Sequence, residues 1–284
     1  AASATDTFVD LTPDLVENIH ETGGTYLKTS RGTPPAEEIV DTLARENLNI
    51  LFAIGGDGTM RGVRDICMTI EQRGLKIAVV GLPKTIDNDI PHINRSFGFE
   101  TAVGIASQSL VAAHTEAVST RRGIGLVRLM GRNSGYIAAC ASVATGHANF
   151  CLVPEVPFRL EGTGGLLDLL GKRLDRRGHA LIVVAEGAGQ EHISGNRGHD
   201  ASGNVKLGDI GTYLRDHLLS HFEKLAAPVA LKYIDPSYLI RAAPPNASDG
   251  LCCARLAQNA VHAAMAGKTA IVIGYWHGKM THVP

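Results

Sequence analysis

Short apolar runs alternate along the chain with longer stretches in which apolar residues recur every three or four positions. The runs predict strands over 49–54, 76–81, 124–129, 150–153, 180–185, 229–234 and 270–274. The stretches between them predict helices over 36–46, 60–73, 99–117, 135–146, 163–176, 208–223 and 250–266. Strands that are apolar throughout and joined by helices make βα units. Such units build mainly parallel sheets covered on both faces, so the pattern predicts an α/β fold. Seven strands suit one wide sheet or two smaller ones. Ligands of such sheets bind beyond the carboxyl ends of the strands, where Gly55, Gly81, Met130 and Glu186 stand. The polar, glycine-rich stretch from Gly187 to Gly208 reads as a long loop.

Composition narrows the class. A chain of 284 residues can bury one large core or two smaller ones. A formal net charge of −1 gives no reason to expect nucleic acid or an anionic membrane as partner. Neither a signal peptide nor an apolar run of transmembrane length is expected. The five cysteines, Cys67, Cys140, Cys151, Cys252 and Cys253, are odd in number and lack a C-x-x-C pair. They read as buried, reduced thiols of a cytoplasmic protein.

Two segments carry chemistry. Gly55-Gly56-Asp57-Gly58-Thr59 follows the run Ile50-Leu51-Phe52-Ala53-Ile54 and precedes a helical pattern. A strand, a glycine loop and a helix start can cradle phosphate with backbone N–H groups. Glycines let the backbone approach an anion closely. Asp57 among them suits a phosphate carried with Mg²⁺; its plain alternative is a cap on a helix beginning near Thr59. The motif alone does not separate kinase families, since lipid and NAD kinases carry a similar one. Pro83-Lys84-Thr85-Ile86-Asp87-Asn88-Asp89 follows Ile77-Ala78-Val79-Val80. Asp87 is a candidate general base, with Asp89 holding metal or tuning it. An Asx-turn before Pro91 accounts for Asn88 but not for Lys84, Thr85 and two acids together. The set is the equipment of phosphoryl transfer.

Further candidates stand at later strand ends. Gly131 permits close approach of a ligand, and Arg132 offers bidentate donors to phosphate. Glu186, where a strand ends in glycine, suits sugar hydroxyls. Lys232, Tyr238 and Arg241 could form a cationic pocket for a second phosphate, or simply a solvated loop. His114, His147 and His179 read as packing or surface residues without metal-ligand spacing.

In order along the chain, GGDGT, PKTIDND, LMGR-x-SG, VPEVPF, AEGAGQ and DPSY-L-IR-x-x-P-x-NASD resemble the 6-phosphofructokinases. Within that family the chain is similar to the ATP-using branch of plants and some protists and bacteria. The resemblance covers nearly the whole chain. It implies two three-layer α/β/α domains with mainly parallel sheets, the phosphofructokinase-like fold. The nucleotide domain would comprise residues 1–98 and 241–284, and the fructose 6-phosphate domain residues 99–240. It also implies Mg²⁺, and transfer of the γ-phosphoryl group of ATP to the sugar's 1-hydroxyl by a homo-oligomer, a dimer or tetramer.

The resemblance assigns roles residue by residue. Arg31 and Gly32 match the arginine loop on the nucleotide. Gly55, Gly56, Asp57, Gly58 and Thr59 match the phosphate loop, with Asp57 on Mg²⁺ and Asp89 beside it. Thr85, Ile86 and Asp87 match the segment whose aspartate accepts the proton, and Lys84 joins them with Arg132 in the catalytic set. Met130, Gly131 and Arg132 match the segment joining sugar to transferred phosphate. Glu186 matches a sugar-hydroxyl ligand, and Tyr238 and Arg241 match 6-phosphate ligands. Lys232 stands where a neighbouring subunit usually reaches in. Pyrophosphate-using members carry aspartate at the place of Gly58, so Gly58 favours ATP; Lys84 is common to both. A pyrophosphate-dependent enzyme and a non-catalytic sugar-phosphate-binding subunit are the alternatives. The family's opening strand with its GGD-x-P-G-x-N loop has no counterpart upstream of Thr25. Its usual C-terminal strand and helix are expected to be absent, so the chain is expected to correspond to the family's middle.

Overall fold

Each apolar run is a strand in the computed structural model, which describes residues 8–29, 34–195, 198–199 and 205–284. Among these residues the order is α1 (Pro13–Val16), α2 (Ala36–Arg45), β1 (Ile50–Gly55), α3 (Asp57–Gln72), β2 (Ala78–Pro83), α4 (Phe99–Val118), β3 (Gly123–Leu129), α5 (Tyr136–Thr145), β4 (Phe150–Leu152), α6 (Leu166–Arg177), β5 (His179–Ala185), α7 (Ile210–Lys224), β6 (Ala230–Ile234), α8 (Ser237–Ala242), α9 (Ala247–Met265), β7 (Ile271–Trp276) and β8 (Lys279–Val283). They fall into two units. One comprises the described residues up to Glu100 together with Pro244–Pro284; the other is Thr101–Ala243.

The first unit holds a sheet ordered β1-β2-β7-β8, in which only β8 is antiparallel. Neighbouring residues of a strand point to opposite faces, and Val79 and Val80 are both fully buried. Val79 packs with Val40 and Leu43 of α2 and Val63, Ile66 and Ile70 of α3. Val80, with Leu82 and Ile273, packs with Leu256, Ala260 and Ala263 of α9. Helices therefore cover both faces. β1 is an edge strand and is not buried throughout as expected. Leu51 and Ala53 face α2 and α3, but Phe52 and Ile54 are 38% and 51% exposed.

A short strand, β8, follows β7 where the apolar pattern predicts none. His277 and Gly278, at φ 47° and 78°, make the tight turn that returns β8 onto β7. Lys279 to Val283 is too polar to read as an apolar run. Backbone pairing, rather than burial, makes it a strand.

The second unit holds an all-parallel sheet ordered β4-β5-β3-β6. Leu166, Leu170 and Leu174 of α6 and Ile210, Leu214 and Leu218 of α7 pack on Ile124, Leu126, Ile182 and Val184. Each such side chain taken fully out of water stabilises the fold by about 1.5–3 kcal/mol. On the opposite face, Leu110 and Ala113 of α4 and Ile137 and Ala141 of α5 are completely buried. Both units are three-layer α/β/α sandwiches with mainly parallel sheets.

All five thiols are free, but only Cys252 is buried. Cys151 is exposed because β4 is a three-residue edge strand whose middle residue points outward. The imidazoles of His114 and His147 stack with centroids 4.1 Å apart. No group of three His, Cys, Asp or Glu side chains among the described residues could hold a metal.

Candidate active site

The candidate phosphate loop of the first unit is shaped by the junction of β1 and α3. Gly56, with φ −88° and ψ −163°, is the N-cap, and α3 begins at Asp57. The helix thus starts three residues earlier than the apolar periodicity suggests. Asp57 is inside it, so its carboxylate does not cap. It pairs instead with Arg61 one turn on, at 2.8 Å. Both side chains are largely exposed, so the pair adds only about 0.3–0.5 kcal/mol. The first N–H groups of α3 have no intrahelical acceptor, and the positive end of the helix dipole lies with them. A Cβ on Gly55 would stand 2.1 Å from Thr59 Oγ1 and 2.5 Å from Thr59 Cβ, so only glycine fits there. Beside Gly58 there is open space, with nothing within 4 Å of a Cβ built on it.

The β1–β2 register sets the second loop beside the first. Gly55 pairs with Pro83, and the next N–H, that of Lys84, donates to the Gly55 carbonyl at 2.8 Å. Thr85 Oγ1 accepts from the Asp87 N–H at 3.1 Å. Asn88 sits at φ 53° and serves as the turn residue expected of it. Its Oδ1 accepts from the Ser96 N–H at 2.8 Å, and its Nδ2 donates to the Asn94 carbonyl at 3.2 Å. The buried Ser96 hydroxyl donates to the Thr85 carbonyl at 2.7 Å. Asp87 is thus carried on a loop fixed on both sides. Ile86 and Asp87 are half-buried, whereas the Lys84 side chain is exposed with no partner among the described residues.

The carboxyl of Asp89 is pushed above its ordinary value. Burial is the main cause; a backbone hydrogen bond opposes it, and the charge of Asp57 adds to it. Asp57 and Asp89 therefore share a field that a divalent cation would relieve. Two carboxylates suit Mg²⁺, which commonly takes its other ligands from water and phosphate. Arg31 and Gly32 lie outside the described residues.

In the second unit, the register of β3 with β5 pairs Leu129 with Ala185. The residues beyond are tied together: the Glu186 N–H donates to the Leu129 carbonyl at 2.9 Å, and the Gly187 N–H to that of Gly131 at 3.0 Å. Met130, Gly131 and Arg132 are thereby set against Glu186. Gly131 has φ 132°, and a Cβ there would fall 2.2 Å from the Ser134 carbonyl oxygen. Arg132 Nη1 donates to the Val205 carbonyl at 2.6 Å. Gln190 clamps the ends of the long loop, donating to the Glu186 and Gly208 carbonyls at 2.7 and 3.1 Å.

Tyr238 and Arg241 are on α8 rather than in a loop, and both are exposed; Arg241 has no partner among the described residues. Lys232 is exposed in the middle of β6, in register with Gly125. It does not join Glu186 and Arg132 at the carboxyl end of the sheet.

Sequence reasoning missed Arg128. Its guanidinium donates to Glu186 at 3.0 Å and to Asp235 at 2.6 Å. The available signal was a charged residue inside the apolar strand Leu126-Val127-Arg128-Leu129, since such residues are seldom buried unpaired. Ser96 gave no comparable signal, because the Thr85 carbonyl and the Asn88 side chain reach it only through the fold of its loop.

A phosphofructokinase family model matches residues 3–264. The chain belongs to the phosphofructokinase family. It is 50% identical over 284 residues to the ATP-dependent 6-phosphofructokinase of Borreliella burgdorferi, covering 98% of this chain and 64% of that protein. It is also 50% identical over 279 residues to ATP-dependent 6-phosphofructokinase 7 of Arabidopsis thaliana, covering 97% and 58%. The phosphofructokinase of Pichia pastoris shares the fold, with TM-score 0.76 at 20% identity over 96% of this chain and 29% of that one. The chain spans between half and two-thirds of the length of the curated relatives named here. No helix among the described residues is long and apolar enough to cross a membrane.

Proposed function

We propose that the protein is an ATP-dependent 6-phosphofructokinase, acting in the cytoplasm as a homo-oligomer. The supporting observation is the pairing of Gly55 with Pro83, which sets a glycine phosphate loop beside a loop bearing Lys84, Thr85 and Asp87. A non-catalytic sugar-phosphate binder has no use for a base fixed beside a phosphate loop. A lipid or NAD kinase leaves Glu186, Tyr238 and Arg241 without a role.

In this reading the N–H groups of Gly56 to Thr59 hold the donor phosphates. Asp57 and Asp89 would hold Mg²⁺, which offsets the charge of those phosphates. Asp87 takes the proton of the sugar's 1-hydroxyl as that oxygen forms its bond to the γ-phosphorus. The bond from that phosphorus to the β–γ bridging oxygen breaks, giving ADP and fructose 1,6-bisphosphate. Lys84 and Arg132 stabilise the charge on the moving phosphoryl group. Glu186 accepts from sugar hydroxyls, Tyr238 and Arg241 bind the 6-phosphate, and Lys232 reaches the sugar phosphate of a neighbouring subunit.

The open space beside Gly58 favours ATP over pyrophosphate, since it leaves room for the α-phosphate and nucleoside. The test is a donor swap with fructose 6-phosphate, measuring fructose 1,6-bisphosphate formed. Turnover with ATP supports the reading. Turnover with pyrophosphate alone replaces it with the pyrophosphate-dependent enzyme, and turnover with neither overturns it.

A further inference from the structure

We infer that Arg128 is the positioning residue of the sugar-phosphate ligands, one guanidinium that fixes Glu186 and the base of α8 in a single relation. The inference rests on the proposed roles of Glu186, Tyr238 and Arg241.

Arg128 is the penultimate residue of β3, between the ends of β5 and β6. Its side chain is only 18% exposed. Nη2 donates to Glu186 Oε2 at 3.0 Å and Nη1 to Asp235 Oδ2 at 2.6 Å. The other oxygen of Asp235 is used as well. Its Oδ1 accepts from the backbone N–H of Ser237, at 3.1 Å, and from the Ser237 hydroxyl. Ser237 is the first residue of α8, which carries Tyr238 and Arg241. A continuous set of bonds thus runs from Glu186 through Arg128 and Asp235 to the helix bearing the 6-phosphate ligands.

This link is decisive for α8 because the helix has little else to hold it. It is six residues long, well below what a helix needs to persist alone. Tyr238 and Leu239 are 86% and 67% exposed, leaving Ile240 as its one buried anchor. A planar fork that reaches two acceptors at once is particular to arginine; an ammonium is a point charge and cannot span them in the same way.

Charge points the same way. Glu186, Asp235 and Asp209 surround one cation, with Asp209 Oδ1 3.8 Å from Nε. That distance is too long for a hydrogen bond, and buried Nε has no acceptor. Asp209 is engaged elsewhere, accepting from Thr212 at the start of α7. The guanidinium therefore commits its two strong bonds to the two acids that serve the sugar phosphate. Burial tends to release its proton, but the Asp235 charge and hydrogen bond, with Glu186, outweigh burial and hold it more tightly. Without Arg128 the acids face one another uncompensated and would turn apart.

The test compares Arg128→Lys, Arg128→Gln, Glu186→Gln and the Arg128→Gln/Glu186→Gln double variant in the full-length protein. Both Arg128 variants should raise the KM for fructose 6-phosphate by about tenfold or more, with the KM for ATP within about twofold. In the double variant the two losses should combine to clearly less than their product, since part of the effect of Arg128 passes through its bond to Glu186. Equal rises in both KM values with a lower Tm, or losses that multiply in the double variant, overturn the inference and leave Arg128 a general structural ion pair. If the Arg128 variants do not fold, Ser237→Ala carries the test, because it weakens the last link. It should raise the sugar-phosphate KM alone, and an unchanged value overturns the inference. Failure of the functional reading shows separately, as no fructose 6-phosphate turnover by the unaltered protein, and takes the inference with it.

Discussion

The Lys84 N–H donates to the Gly55 carbonyl at 2.8 Å, continuing the β1–β2 ladder one residue beyond the strands. The loop that would hold the donor phosphates and the loop that would deprotonate the acceptor are therefore one piece of backbone. A change in either should be felt in the other.

Asp87→Asn removes the proposed base and keeps its size. The expected result is a kcat lower by about 10²–10⁴, the usual worth of a positioned base, with fructose 6-phosphate binding largely retained. Steady-state kinetics with a separate binding titration check it. Near-normal turnover rules out Asp87 as the base.

Gly58→Asp fills space that is empty in the structure with a negative charge beside the donor phosphates. A like charge in a partly dehydrated site costs more than in water, so ATP use should fall by about tenfold or more. Pyrophosphate use should fall much less. The measurement is kcat/KM for each donor, and equal losses would mean that Gly58 does not set donor choice.

Asn88→Ala loses the bonds to Ser96 and Asn94 and places a Cβ-bearing residue at φ 53° without a side chain that tolerates it. It should cost about 1–3 kcal/mol and lower turnover, because Asp87 precedes it on the same loop. Asn88→Gly should cost less, since glycine takes the positive φ without strain. Urea unfolding of both variants gives the order.

Asp89 gives a pH-dependent prediction. Its folded carboxyl titrates above its ordinary value of 3.8 because of burial and the charge of Asp57. Below 3.8 the carboxyl is protonated both folded and unfolded, and there is no penalty. As pH rises from there to the raised folded value, the unfolded chain ionises first and stability falls; above it the penalty is complete. Asp89→Asn should therefore raise Tm at pH 7 without Mg²⁺, and the gain should vanish in strong acid. Mg²⁺ should raise the Tm of the unaltered protein more than that of the variant. Thermal scans across pH, with and without Mg²⁺, show both effects, and an equal Mg²⁺ shift in the two proteins removes Asp89 from the metal site.

Lys232→Ala and Asp87→Ala should rescue each other if Lys232 serves a neighbouring subunit. The first should chiefly weaken sugar-phosphate binding, by about 1.5–3 kcal/mol, and the second should chiefly lower turnover. Verified mixed oligomers of the two should regain activity above the sum of the parents. No gain would mean that Lys232 acts within its own subunit or not at all.

The chain by itself determined the elements that local chemistry specifies. Val79-Val80 and Leu181 to Val184 are strands buried on both faces, so their apolar runs were legible without a partner. The glycine loop at Gly55 and the turn at Asn88 were legible because backbone conformation there depends on residue type. Elements with weak local signals were not: α8 is too short to show a period, and β8 is polar and becomes a strand only by pairing with β7. The exposure of Phe52, Ile54 and Cys151 followed from edge positions, which strand order decides. The clamp on Glu186 was the furthest from view. Arg128 lies in β3, and Glu186 and Asp235 stand just past the ends of β5 and β6, up to 107 residues away in sequence; hydrogen-bond register, a property of the folded sheet, is what brings the two acids within reach of one guanidinium.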